Sequence, residues 1–122
     1  MKLHPSTPAA AQTITAYGDD YVMVNGARRD ASAVVTPERI VAWENRTFAQ
    51  LAREDFSFLA GLGAEIVLLG TGARQRFPDR RLTAPLAAAR VGLEVMDLKA
   101  ACRTYNILVA EERKVALALL FA

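Results

Sequence analysis

The sequence predicts an α/β fold, and three observations carry that expectation. Residues 64–69, 93–96 and 115–121 are short runs of bulky or β-branched apolar residues, the pattern of strands buried on both faces of a sheet. Between them lie an Ala-rich stretch, 83–91, and a stretch with one apolar stripe, 98–109. Ahead of them, residues 13–43 hold short extended pieces separated by turn signals. Strand–helix–strand–helix–strand is the order of an α/β sheet. The N-terminal strands read as antiparallel and are expected to form a separate layer.

Element by element, residues 1–12 read as a flexible tail, and 13–122 as one domain. Ile14, Ala16 and Tyr17 lead into the turn signal Gly18-Asp19-Asp20. Tyr21-Val22-Met23-Val24 then meets Asn25-Gly26, which suits a two-residue hairpin because both central positions need positive φ. Val34-Val35 is extended, Thr36-Pro37-Glu38 breaks it, and Arg39 to Trp43 reads as a further strand. Helical spacing runs from Thr47 to Leu62, with Asp55 as the cap of a second short helix. The strand 64–69 stops at Gly70, and 70–82 reads as a loop. A helix follows from Thr83 with Pro85 in its first turn, ended by Gly92. Asp97 caps the clearest helix, whose stripe is Leu98, Ala101, Cys102, Tyr105, Leu108 and Val109.

Composition removes several classes of function. The chain has 122 residues, 52% of them apolar, which fits one modest core and excludes disorder. A single cysteine, Cys102, excludes an internal disulfide and any Cys-rich zinc site. A single histidine, His4, sits in the tail, a poor support for a nucleophile–base pair or a metal. No cofactor or metal is expected. Net charge is +2 with a pI of about 9.0, too small an excess for general nucleic-acid binding. The start lacks a secretory apolar region, and no run spans a bilayer, so the expected place is the cytoplasm.

The candidate site is the loop after the first buried strand. Gly70, Thr71 and Gly72 precede Arg74, Arg76, Arg80 and Arg81 with Asp79, a local charge of +3. Backbone N–H groups at such glycines can cradle an anion, and Arg adds bidentate contacts to phosphate or carboxylate. The sequence favours reading the same loop as a solvated connector with glycines for a tight turn, since neither G-x-G-x-x-G nor G-K-[ST] is present. Cys102 lies mid-stripe and reads as core. Thr104, Tyr105 and Asn106 form a polar group with Glu111 and Arg113. Tyr105 faces the core and needs a partner for its hydroxyl. Asn106 invites a specific hydrogen bond, structural or to a ligand. Phe77 is the apolar residue best placed for exposure; Trp43 reads as core.

Leu69-Gly70-Thr71-Gly72, Gly92-Leu93-Glu94-Val95-Met96-Asp97 and Ala101-Cys102-Arg103-Thr104-Tyr105-Asn106-Ile107-Leu108 through Arg113 resemble the Mth-like domain family. That family includes a mitochondrial complex I assembly factor. The resemblance implies a three-layer α/β fold with a central mixed sheet of five strands, its C-terminal strand antiparallel to its neighbours, and a β-rich N-terminal part packed nearby. It marks Gly70, Thr71, Gly72, Asp97, Cys102, Thr104, Tyr105, Asn106 and Arg113 as family-typical, none with an established catalytic role. It implies a non-enzymatic interaction or assembly-factor-like domain that supports assembly of a respiratory membrane complex, with a protein partner and a place in the cytoplasm or at the inner-membrane periphery. The alternative is a small-molecule or anion-binding domain, or a weak enzyme, using loop 70–81.

Overall fold

The computed structural model describes residues 11–43 and 46–121. The first ten residues of the expected tail, His4 among them, lie outside that span. Ala11 and Gln12 do not belong to a tail: Ala11 is buried, and the Gln12 N–H donates to the Pro37 carbonyl at 3.0 Å.

Strands β1 (Ile14–Tyr17), β2 (Val22–Val24) and β3 (Ala27–Arg29) form an antiparallel three-stranded sheet. The β2–β3 turn is Asn25-Gly26 at φ 49° and 83°, as the hairpin signal requires. Strands β4 (Ala33–Val35) and β5 (Ile40–Ala42) belong instead to a second sheet with β6 (Ile66–Thr71), β7 (Gly92–Met96) and β8 (Val115–Leu120), in the order β5-β4-β8-β6-β7. The expected central mixed five-stranded sheet and the separate N-terminal layer are both present. The direction of the last strand is corrected: β8 is antiparallel to β4 but parallel to β6. Two crossovers on opposite faces, β6 to β7 and β7 to β8, return the chain in the same direction each time.

Helix α3 (Leu98–Ala110) and the small sheet cover one face; α1 (Arg53–Ala60) and α2 (Arg80–Ala88) cover the other. The period of two sorts β8 between them. Val115, Leu117 and Leu119 join the α3 core, while Ala116, Ala118 and Leu120 join the core under α1 and α2. All six residues of β8 are buried, which is why the strand reads as a continuous apolar run.

The helical stretch expected over 47–62, with its second short helix, is two elements. Residues Phe48–Gln50 make one 3₁₀ turn, Leu51 is extended, and α1 starts at Arg53. Asp55 sits in the first turn of α1, not before it, and still caps: its Oδ2 accepts the Ala52 N–H at 2.8 Å and its Oδ1 accepts Arg46 Nε at 3.1 Å. Strand β6 runs on through Gly70 and Thr71, so the loop begins at Gly72. The next helix begins at Arg80, because Asp79 accepts the Arg81 N–H at 2.8 Å and nucleates it earlier than Thr83. Pro85 therefore lies inside α2. It leaves the Arg81 carbonyl without a helical donor, and Arg53 Nη1 of α1 donates to that carbonyl at 3.2 Å. The helix stops at Ala88, and Gly92 opens β7.

Candidate functional site

The site expected from sequence lies where β6 ends against the start of α3. Gly70 is there for close approach. A Cβ on it would stand 3.2 Å from the Ala101 Cβ and 3.5 Å from the Leu98 Cα. Gly72 turns at φ 81°, and its carbonyl accepts the Leu98 N–H at 2.8 Å. Asp97 Oδ1 accepts the Ala100 N–H at 2.9 Å. The α3 N-terminus is thus capped from within, by one carboxylate and one carbonyl.

Thr71 ties the loop back on itself. Its side chain is fully buried; the hydroxyl donates to the Arg74 carbonyl at 2.7 Å and accepts the Arg76 N–H at 3.0 Å. The Arg76 side chain turns inward. Its Nη2 donates to the Thr71 carbonyl at 3.0 Å, and its guanidinium lies 4.6 Å from the Phe48 ring centroid. Arg81 is engaged by Asp79 at 2.9 Å. Those contacts, the Arg81 side chain first and its backbone N–H second, hold the Asp79 carboxyl at about 2. Arg74 and Arg80 remain exposed, with no carboxylate partner among the described residues.

The polar residues of α3 point elsewhere. Tyr105 is fully buried and its hydroxyl donates to the Gln12 carbonyl at 2.7 Å. Asn106 brackets Ile14, accepting its N–H at 2.9 Å and donating to its carbonyl at 2.7 Å. Both hold β1 against α3. The Thr104 hydroxyl meets the Met96 sulfur at 3.4 Å. Cys102 is fully buried, and desolvation pushes its thiol up to about 12, far from a reactive thiolate. Arg113 pairs with Glu65 at 2.6 Å at the opposite end of α3, beside an open cavity of about 420 Å³ that also touches Thr36, Glu38 and Lys114. The expected residues thus fall into three places. Gly70–Gly72 with Asp97 stand at one end of the sheet, Tyr105, Asn106 and Cys102 in the α3 core, and Arg113 at the other end.

Two features escaped sequence reasoning. A small concavity of about 190 Å³ joins Gly72, Ala73, Asp97 and Leu98 to Gly18, Asp19 and Lys99, and it is strapped by a Lys99–Asp19 ion pair at 2.8 Å. A larger groove of about 520 Å³ runs along β7, lined by Gln75, Phe77, Pro78, Arg80, Thr83 and Leu93–Val95. Phe77 is 70% exposed there. The exposure of Phe77 was legible; that β7 would be an edge strand was not, because strand order is set by non-local pairing. Among the described residues no cluster of acidic, His or Cys side chains fits a metal, and no helix is long and apolar enough to cross a membrane.

Comparison with known proteins agrees with this geometry. A crystal structure of a Bordetella parapertussis protein shares 42% identity and a TM-score of 0.87, covering 94% of this chain and 100% of that one. A Bordetella pertussis solution structure described as a Mth938-like domain shares 36% identity and a TM-score of 0.81, covering 98% of this chain and 92% of that one. The Xenopus tropicalis NADH dehydrogenase [ubiquinone] 1 alpha subcomplex assembly factor 3 is 30% identical over 88% of this chain and 60% of its own length. The chain spans about 60% of the length of the assembly-factor relatives it matches. The resemblance to Mth-like domains holds. A family model matches residues 14–120, so the chain belongs to the protein family of unknown function DUF498/DUF598.

Proposed function

We propose that the chain is a protein-interaction domain that supports assembly of a respiratory membrane complex of the NADH dehydrogenase type. One observation carries this reading: relatives described as NADH dehydrogenase assembly factors align with about nine-tenths of the chain. The geometry is in keeping with it. Gly70, Thr71, Gly72 and Asp97 serve to build a rigid end of the sheet, and that end presents Arg74, Phe77 and Arg80 outward. An exposed aromatic beside unpaired arginines is the composition of an interface anchor. The partner is a subunit or assembly factor of the complex. The domain works from the cytoplasm, at the periphery of the inner membrane.

The test is a deletion strain of the native organism. Assembled NADH dehydrogenase, quantified on native gels by in-gel activity, should fall and should return with the wild-type chain. An unchanged level would contradict the proposal.

An anion-binding reading draws on Arg74 and Arg80, both exposed and without a carboxylate partner among the described residues. It requires that inorganic phosphate or a dicarboxylate raise the thermal midpoint of the wild-type chain, and that Arg74→Ala together with Arg80→Ala abolish the rise.

A further inference from the structure

We infer that the free edge of β7 is the docking site itself, and that its occupant is an extended segment of the partner protein carrying acidic side chains, added to the sheet as a sixth strand. This rests on the reading of the chain as an interaction domain and assigns the surface.

Strand β7 is the last strand of the five, with β6 on one side only. The direction of its backbone groups follows from register. Gly92 pairs with Ile66, and the Gly92 N–H donates to the Glu65 carbonyl at 3.0 Å, so Gly92, Glu94 and Met96 turn their polar groups toward β6. By alternation Leu93 and Val95 turn theirs outward. One of these outward groups has a partner: the Gln75 amide donates to the Val95 carbonyl at 2.8 Å. That amide stands where an added strand would lie, so an incoming segment displaces Gln75 from the Val95 carbonyl. The Leu93 N–H, the Leu93 carbonyl and the Val95 N–H have no partner among the described residues. Strand addition uses main-chain groups of this kind for affinity and flanking pockets for choice of side chain. The groove along β7 supplies the pocket, with Phe77 on its wall.

Charge selects the occupant. The groove lining holds one charge of each sign, Arg80 at the start of α2 and Glu94 in the middle of β7, and Arg74 is exposed in the same loop. Neither arginine has a carboxylate partner among the described residues, so an acidic group is favoured at the arginine end and disfavoured opposite Glu94. A segment with Asp or Glu at its end would complete them. A second copy of this chain fits less well. The two-fold antiparallel register that pairs Leu93 with Val95, and so uses all four outward groups of each copy, places Glu94 opposite Glu94, and like charges directly opposite destabilise a pair.

The experiment selects linear peptides from a random phage-displayed library on the purified wild-type chain. Enriched peptides should carry acidic residues and alternate apolar with polar. Bound to labelled protein, they should slow amide exchange at Leu93 and Val95. Leu93→Pro removes an outward donor, a place where edge strands tolerate Pro, together with the Leu93 side chain's packing on the core under α1 and α2. It is therefore compared with Leu93→Ala, which loses the packing and keeps the donor. Leu93→Pro should weaken binding roughly tenfold or more beyond Leu93→Ala, and Arg80→Glu should weaken acidic peptides by about tenfold. Absence of enriched peptides, peptides rich in Lys and Arg, or binding that leaves Leu93 and Val95 amides unprotected would overturn the assignment. So would protection that rises with protein concentration alone, which would mean a second copy. Each of these outcomes leaves the deletion-strain result untouched, so failure of the edge and failure of the assembly role can be told apart.

Discussion

Tyr105 and Asn106 are the residues whose meaning changes most between sequence and structure. Both stood out as polar groups on an apolar helix, and both are satisfied by the backbone of residues 12–14. A buried hydroxyl that loses its acceptor, or the reverse, costs about 1–3 kcal/mol. Tyr105→Phe should therefore lower unfolding stability by about 1 kcal/mol in urea. Asn106→Ala should cost about 1–3 kcal/mol and selectively raise amide exchange in β1 (Ile14–Tyr17), leaving β6 and β8 protected. Uniform loss across all strands would contradict the local role. Burial also raises the Tyr105 phenol above its ordinary range, so the folded protein should show no phenolate from it at mild alkaline pH. Cys102 makes a sharper test. With its thiol pushed to about 12, iodoacetamide at pH 8 should leave the folded chain unmodified and label it fully in denaturant.

The capping residues carry the next set of expectations. Asp79 starts α2 and its carboxyl is held at about 2, below the ordinary Asp value of about 3.9. A depressed carboxylate contributes its stability above the unfolded pKa and loses it as pH falls through the folded one. The amides of Arg81 and Leu82 should keep their protection at pH 5 and lose it between pH 4 and pH 2, with an Asp79 titration midpoint near the lower value. A midpoint at the ordinary value would contradict the cap. At the β6–α3 contact, Gly70→Ala places a methyl 3.2 Å from the Ala101 Cβ. Overpacking of that kind costs about 1–3 kcal/mol, and Gly70→Val should cost more because its added methyls also meet the Leu98 backbone.

Strands 64–69, 93–96 and 115–121, the α3 stripe and the Asn25-Gly26 turn were legible because each is a local pattern: a period, a run or a turn dipeptide. What failed was the boundary wherever a side chain at a distance decided it. The start of α2 depends on Asp79, and the survival of Pro85 within it depends on Arg53, 28 residues earlier than the carbonyl it serves. The inward turn of Arg76 depends on Phe48. Strand order depends on pairings across most of the chain, so neither the parallel alignment of β8 with β6 nor the open edge of β7 could be read from local signals.

Taken as a body, the protein is two cores on either side of one sheet, closed by α1 and α2 on one face and by α3 with the small sheet on the other. The sheet is blunt along β5, three residues long, and open along β7, five residues long beside a groove. The decisive measurement is complementation of the deletion strain with the wild-type chain and with Leu93→Pro, matched for expression and for thermal midpoint, reading assembled NADH dehydrogenase on native gels. Recovery with the wild type and failure with Leu93→Pro is the outcome expected if the domain works by strand addition at β7. Equal recovery by both would contradict it.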